Sequence, residues 1–183
     1  MSAPYHQQVT VSPSDAPHAR CLLAIFNILK TVNLPGIQWD SGGNPKAWEA
    51  IQIWADMRTP PPLPCVLITI DGLSEEEWEE GSGFTVKGVT YPVNVFVVAQ
   101  EGWEDHSKLT TYLNWRHRLM ESLRDKTRLN EVHECVDIEL GPKAILEKNT
   151  ASGEDGAVYN LVQSSFVVKV HCTLDRQKEY VNP

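Results

Sequence analysis

The chain has 183 residues, 42% hydrophobic and 22% charged, with a formal net charge of -8, a size and balance suited to one globular domain with its own core. The negative charge argues against tight non-specific binding to nucleic acid, which needs phosphates neutralised by lysine and arginine, and no apolar run approaches the ~20 residues of a membrane-spanning helix. Cys21, Cys65, Cys135 and Cys172 stand singly in apolar surroundings with no CxxC pair, the pattern of a reduced protein rather than a disulfide scaffold.

Residues 1–14 are polar, with Pro4 and Pro13, and read as an arm ahead of a single domain over 15–174 and a polar tail over 175–183. The first residues show neither the positive start nor the apolar stretch of a secretory signal, so synthesis and use in the cytosol are expected. A helix is predicted over 15–31, with Ser14 or Asp15 as N-cap and Pro17 in its first turn. Leu22, Ile25, Phe26 and Leu29 form its apolar stripe, and Asn33-Leu-Pro-Gly36 ends it. Asp40-Ser-Gly-Gly-Asn44 is a loop. Ala47, Trp48, Ile51, Trp54 and Ala55 fit a short helix opened by Asn44-Pro45, while residues 50–55 also fit an irregular strand. Thr59-Pro-Pro-Pro-Leu-Pro64 is extended, because proline restricts both itself and its predecessor.

Cys65-Val-Leu-Ile-Thr-Ile-Asp71 reads as a strand. Residues 72–83 form a connection carrying the acidic run Glu75-Glu-Glu-Trp-Glu-Glu80, read as a loop. Residues 84–100 form one long strand, kinked near Gly88 or Pro92, or two shorter ones. Tyr91-Pro-Val-Asn-Val-Phe-Val-Val-Ala-Gln100 is apolar on both alternating faces, as in a central strand covered on both sides. A polar turn, Glu101-Gly-Trp-Glu-Asp-His106, leads to a helix over 107–125 with Leu109, Tyr112, Leu113, Met120 and Leu123 at helical spacing. Cys135-Val-Asp-Ile-Glu-Leu140 alternates as a half-exposed strand, with Val136, Ile138 and Leu140 expected inward. Residues 143–156 are a polar excursion, and 158–174 are the last strand, with Phe166, Val168, Val170, Cys172 and Leu174 on one face. The expected fold class is α+β: a mixed, mainly antiparallel sheet of about four strands backed by two main helices, with long inter-strand arms at 72–83 and 143–156.

No phosphate-binding loop, dinucleotide fingerprint, nucleophile elbow or HExxH occurs, so no catalytic, cofactor-binding or metal-ligating residue is assigned. The metal candidate weighed is His133-Glu-Cys135 with His171-Cys172. His133 and Cys135 share one face if their segment is extended, but His171 and Cys172, adjacent on a strand, point apart. Core cysteines with rim histidines is the plainer reading. Six tryptophans are many for this length. Core packing is the default for Trp39, Trp48, Trp54 and Trp115, whereas Trp78 and Trp103 sit in polar stretches, where tryptophan raises the prospect of a protein interface. The candidate partner surface is therefore Glu75, Glu76, Glu77, Trp78, Glu79 and Glu80, together with Trp103 and with Trp48 and Trp54 of the insert.

The succession of a helix bearing Leu22, Ile25, Phe26 and Leu29, then Leu63-Pro-Cys-Val-Leu-Ile68, the Tyr91-Pro-Val-Asn-Val-Phe-Val-Val98 strand, the 109–123 helix with Trp115-Arg-His-Arg-Leu-Met120, and closing strands ending in Phe166-Val-Val-Lys-Val170 resembles the tail terminator, or tail-completion, proteins of long-tailed bacteriophages and related head–tail joining proteins. It extends over residues 15–174 as architecture and hydrophobic rhythm. The resemblance implies a helix-backed sheet and a ring, six copies strong, that caps the tail tube, stops its polymerisation and joins the tail to the neck. Its partners would be further copies of itself, the tail tube protein and a neck or stopper protein, with genomic DNA passing through without tight binding. The place of action would be the virion, assembled in the host cytoplasm, with no membrane, cofactor or enzymatic activity. The acidic stretch 75–80, the insert 39–54 and the N-terminal arm depart from the family pattern. Two further readings are a neck stopper or baseplate adaptor of a related particle, and a small metal-dependent enzyme using His133 and Cys135.

Overall fold

The computed structural model describes residues 10–12, 15–34, 51–53, 64–70, 76–78, 86–100, 106–124, 126–142, 145–152 and 158–175. Expectations for the N-terminal arm, the proline run 59–64 up to Leu63, most of the 45–55 helix and the C-terminal tail lie outside these residues.

Helix α1 is Pro17–Leu29. Pro17 opens it because its missing N–H falls where no intrahelical acceptor exists. The expected cap is corrected: Ala16 is the N-cap and no side chain caps the helix. Asp15 is used one turn earlier, its carboxylate accepting from the Ser12 N–H at 3.0 Å while its own N–H donates to the Ser12 carbonyl at 3.0 Å. Cys21, Ala24, Ile25, Phe26 and Leu29 are buried along one face, and Leu34 beyond the helix end joins them.

The sheet has seven strands: β1 (Ile51–Ile53), β2 (Cys65–Thr69), β3 (Glu76–Trp78), β4 (Val86–Gln100), β5 (Cys135–Pro142), β6 (Glu147–Ser152) and β7 (Val158–Asp175). Helix α2 is His106–Arg124. The expected α+β class holds, and all four anticipated strands are present as β2, β4, β5 and β7; residues 86–100 form a single strand. β4 and β7 make the central antiparallel ladder, from Val86↔Asp175 to Gln100↔Leu161. On the free side of β4, β2 takes the C-terminal half and β3 the N-terminal half. On the free side of β7, β5 takes the C-terminal half and β6 the N-terminal half. β1 adds to β2 in parallel, so residues 51–53 follow the strand alternative rather than the short helix.

Both helices lie on one face. α1 covers β1, β2 and β4, α2 covers β4, β7 and β5, and the helices touch each other. The shared core joins Val66 and Ile68, Val93 and Val95, Phe166, Val168, Val170 and Cys172 to the helix side chains. On α2 the buried positions are Trp115, Leu119 and Leu123, four apart. Trp115 takes the core place expected of it, with Tyr112 edge-on at 6.3 Å. Leu113, expected in the stripe, is corrected to the exposed side because it lies about 120° around the helix from Leu119, the middle of the buried line. The other face of the sheet is buried too and more polar: Cys65, Thr69, Thr90, Asn94, Ser165 and Val167. Burial of β4 on both faces agrees with its double-sided apolar sequence.

The inward set of β5 is also corrected. Cys135 is buried and Val136 is exposed, while Ile138 and Leu140 pack on the core. A register shift between Cys135 and Asp137 against β7 supplies the cause: an extra residue on one strand breaks the two-residue alternation.

Candidate functional site

The sheet has two unlike margins. At one, β5 and β6 follow each other along β7, joined through residues 143–146. The ladder of β7 with β4 stops at Gln100↔Leu161, whereas its ladder with β6 continues to Ser152↔Val158. Among the described residues, Val158–Asn160 therefore pair with β6 alone, and the β6–β7 hairpin runs about 10 Å past the central ladder at ~3.4 Å per residue. Within the 143–156 excursion, Glu147–Ser152 is therefore strand, paired along β7. At its root Ile145 is 65% exposed, the most exposed large hydrophobic side chain among the described residues, and Val136 of β5 is also exposed.

At the other margin lies β3, in register Glu76↔Thr90, Glu77↔Val89 and Trp78↔Gly88. The acidic run is corrected here: its middle three residues are strand and not loop. The spare edge of the long β4 templates the pairing, so neighbouring backbone outweighs the weak strand preference of Glu-Glu-Trp. Of the other candidate interface residues, Glu75, Glu79, Glu80, Trp48, Trp54 and Trp103 lie outside the described residues.

The turn between α2 and β5 is tied to α1 by two side-chain bonds. The Arg20 Nη1–H donates to Glu134 Oε2 at 2.9 Å, and the Asn27 amide donates to Glu131 Oε2 at 3.1 Å. Leu129 and Val132 bury beneath this turn. On its outer side Lys126 and Arg128 are exposed and enter no ion pair among the described residues, and Glu131 is exposed as well. Residues 106–128 hold six of the 16 lysines and arginines but only two of the 24 acids, an asymmetry that an apolar-pattern reading passes over and a count along the chain exposes.

The proposed metal ligands do not converge. His133 is exposed in a turn and Cys135 is buried, so the shared face expected of them is corrected: the segment is not extended at His133. Cys172 points into the helix-side core and His171 to the opposite face, as alternation requires. There Thr90 Oγ1 and His171 Nδ1 share a 2.9 Å hydrogen bond, and His171 Nε2 lies 3.6 Å from Glu139 Oε2. On the core side Cys21 Sγ and Cys172 Sγ are 3.9 Å apart. The hydrogen bond with Cys172 and burial push the Cys21 thiol up, and burial raises Cys135 and pushes Cys65 up to about 12. Such thiols stay protonated at neutral pH and act as packing groups rather than nucleophiles. Among the described residues no group of three His, Cys, Asp or Glu side chains is placed to hold a metal ion. No described helix is long and apolar enough to cross a membrane.

Compared with known proteins, the chain matches no family model and no characterised relative.

Proposed function

We propose that this protein is a structural component of a phage particle, a ring-former of the tail-terminator kind that caps the tail tube and joins it to the neck. The observation that carries this reading is the β6–β7 hairpin, which leaves the central ladder with an exposed Ile145 at its root. A projecting arm gains nothing for a lone domain, since it adds polar strand without adding core, but it reaches an adjacent subunit. Long connections in compact domains are usually functional or disordered, and residues 147–152 of this one form a ladder with β7. The resemblance in element order supports the same class. The -8 charge suits a wall past which DNA slides without adhering. Further copies of the chain, the tube protein and a neck protein are the partners this function requires, in a virion assembled in the host cytoplasm.

Native mass spectrometry and negative-stain microscopy of the purified chain, alone and with tail tubes, test the proposal. Rings of six copies, or six-copy caps formed only on tubes, are expected. Removal of residues 148–152 should abolish either species while leaving a folded monomer. A chain that stays monomeric in the presence of tubes and leaves tube length unchanged would sink the reading.

A further inference from the structure

We propose that the outer flank of α2 and the acidic back of the β5–β6 margin form one self-complementary surface, on which a second copy of this chain docks about a two-fold axis running along the strands. The pairing stands apart from the ring reading and needs no ring to form.

Arg116 is a cation without a partner. Leu109, Leu113, Arg116 and Met120 recur four, three and four residues apart and make a second stripe on α2, about 90° around the helix from Trp115, Leu119 and Leu123. α1 packs against α2 from the opposite flank, where Arg118 donates to the Asn33 carbonyl, so the second stripe faces the open β5 margin. Leu113 is 36% exposed and the other three are half-buried. Arg116 enters no hydrogen bond or ion pair among the described residues, and its Nε is buried with nothing to accept from it. Burial also holds its pKa below the ordinary arginine value. A half-buried cation among apolar side chains is costly until a carboxylate covers it. α2 supplies none, since its single acid, Glu121, pairs with Arg124.

The complement lies on the reverse of the same margin. Cross-strand partners share a face of a sheet. Phe166, Val168, Val170 and Cys172 of β7 face the helices, so Gln163, Lys169 and His171 face away. Asp137, Glu139 and Glu147 pair with His171, Lys169 and Gln163, and all three acids are exposed. The margin is therefore cationic in front, along α2, and acidic behind, where the three acids outnumber Lys169. Turning a second copy by half a turn about a line parallel to β5 exchanges front and back. The acidic row of each copy then meets the α2 flank of the other, and the contact is made twice, as two-fold symmetry requires. A two-fold perpendicular to the sheet would instead set Arg116 beside Arg116 and acid beside acid, which repel. The exposed Ile145 lies between Glu139 and Glu147 along the margin and supplies an apolar side chain for Leu113 to cover. A carboxylate of a tube or neck protein is the other occupant that Arg116 would accept, but the acidic row on this chain favours a second copy.

Sedimentation velocity and native mass spectrometry of the full chain, over a range of protein and salt concentrations, test the pairing. Wild type should show a monomer–dimer equilibrium that weakens with salt, since exposed charges are screened over ~8–10 Å at physiological ionic strength. Arg116→Glu should weaken pairing about tenfold or more, and so should Glu139→Lys with Glu147→Lys. The three substitutions together should restore it to within about threefold of wild type. Urea midpoints confirm that each variant is folded; if Arg116→Glu is not, the Glu139/Glu147 variant, at exposed positions, decides with Leu113→Ser, which should also weaken pairing. A wild-type chain that stays monomeric at every concentration, dimers indifferent to either reversal, or a triple variant no better than its parents would overturn the proposal. Monomeric wild type whose binding to tail tubes is lost in Arg116→Glu would overturn it in favour of the tube protein. Six-copy rings unaffected by all these variants would leave the ring reading standing and end this one, whereas salt-sensitive dimers without rings would do the reverse.

Discussion

The β4–β7 ladder and the strands at its margins are made of different material. The ladder places Val93, Val95, Phe166, Val168 and Val170 at essentially zero exposure, and β4 is buried on both faces. β3 reads Glu-Glu-Trp and β6 reads Glu-Lys-Asn-Thr-Ala-Ser, with Glu147, Lys148 and Thr150 exposed. Such strands carry few apolar residues and persist because a long neighbour offers them an unpaired edge. The division is one of burial: the middle of the sheet supplies the apolar core, and the margins add paired backbone around it.

Substitutions can break that comparison at either end. Phe166→Ala, at the centre, should lower unfolding free energy by about 3–5 kcal/mol, measured by urea denaturation of the monomer. A loss under 1 kcal/mol would mean the core is centred elsewhere. Next, Glu134→Ala removes the carboxylate from the nearly buried Arg20 and should cost about 1.5–3 kcal/mol. Glu134→Gln, which keeps an acceptor, should recover part of that in the same assay.

A third test reads the polar face of the sheet through pH. The Cys65 thiol has its ordinary value near 9.0 when unfolded, and burial pushes it up to about 12 when folded. Because the folded value is the higher one, its contribution is intact below pH 9 and is lost as pH rises toward 12. The urea midpoint should fall over that window, and it should fall less in Cys65→Ala. Equal slopes would show that Cys65 does not control the decline. The smallest effect on the monomer belongs to the margin: Ile145→Asp should change stability by no more than about 0.5 kcal/mol, yet reduce assembly. A larger destabilisation would show that the arm is part of the core.

The central elements were legible because apolar periodicity is itself the cause of their structure. Leu22, Ile25 and Phe26 recur at helical spacing, and the alternation from Phe166 to Leu174 fixed one buried face of β7. β3 and β6 carry no such signal, since their partner strands dictate them. The β5 bulge was hidden for a related reason: the shift between Cys135 and Asp137 arises in the pairing with β7, and alternation read along one strand cannot register it. Of the candidate interface, the acidic run was visible as charge but not as strand.

The register of the central ladder also governs how the protein comes to be made. Gln100 pairs with Leu161 and Val86 with Asp175, so its partners are separated by 61 to 89 positions along the chain. Contacts of such long range are slow to form, because loop closure must precede any gain from pairing. β4 leaves the ribosome well before β7 exists, as a fifteen-residue, largely apolar strand whose main partner is still to be synthesised. During that interval β2, β3 and α1 are its available cover. Newly made chains crowded together at this stage are prone to pair β4 with the wrong molecule, so the yield of folded protein should depend on chaperones that hold the nascent chain until residue 175 has emerged.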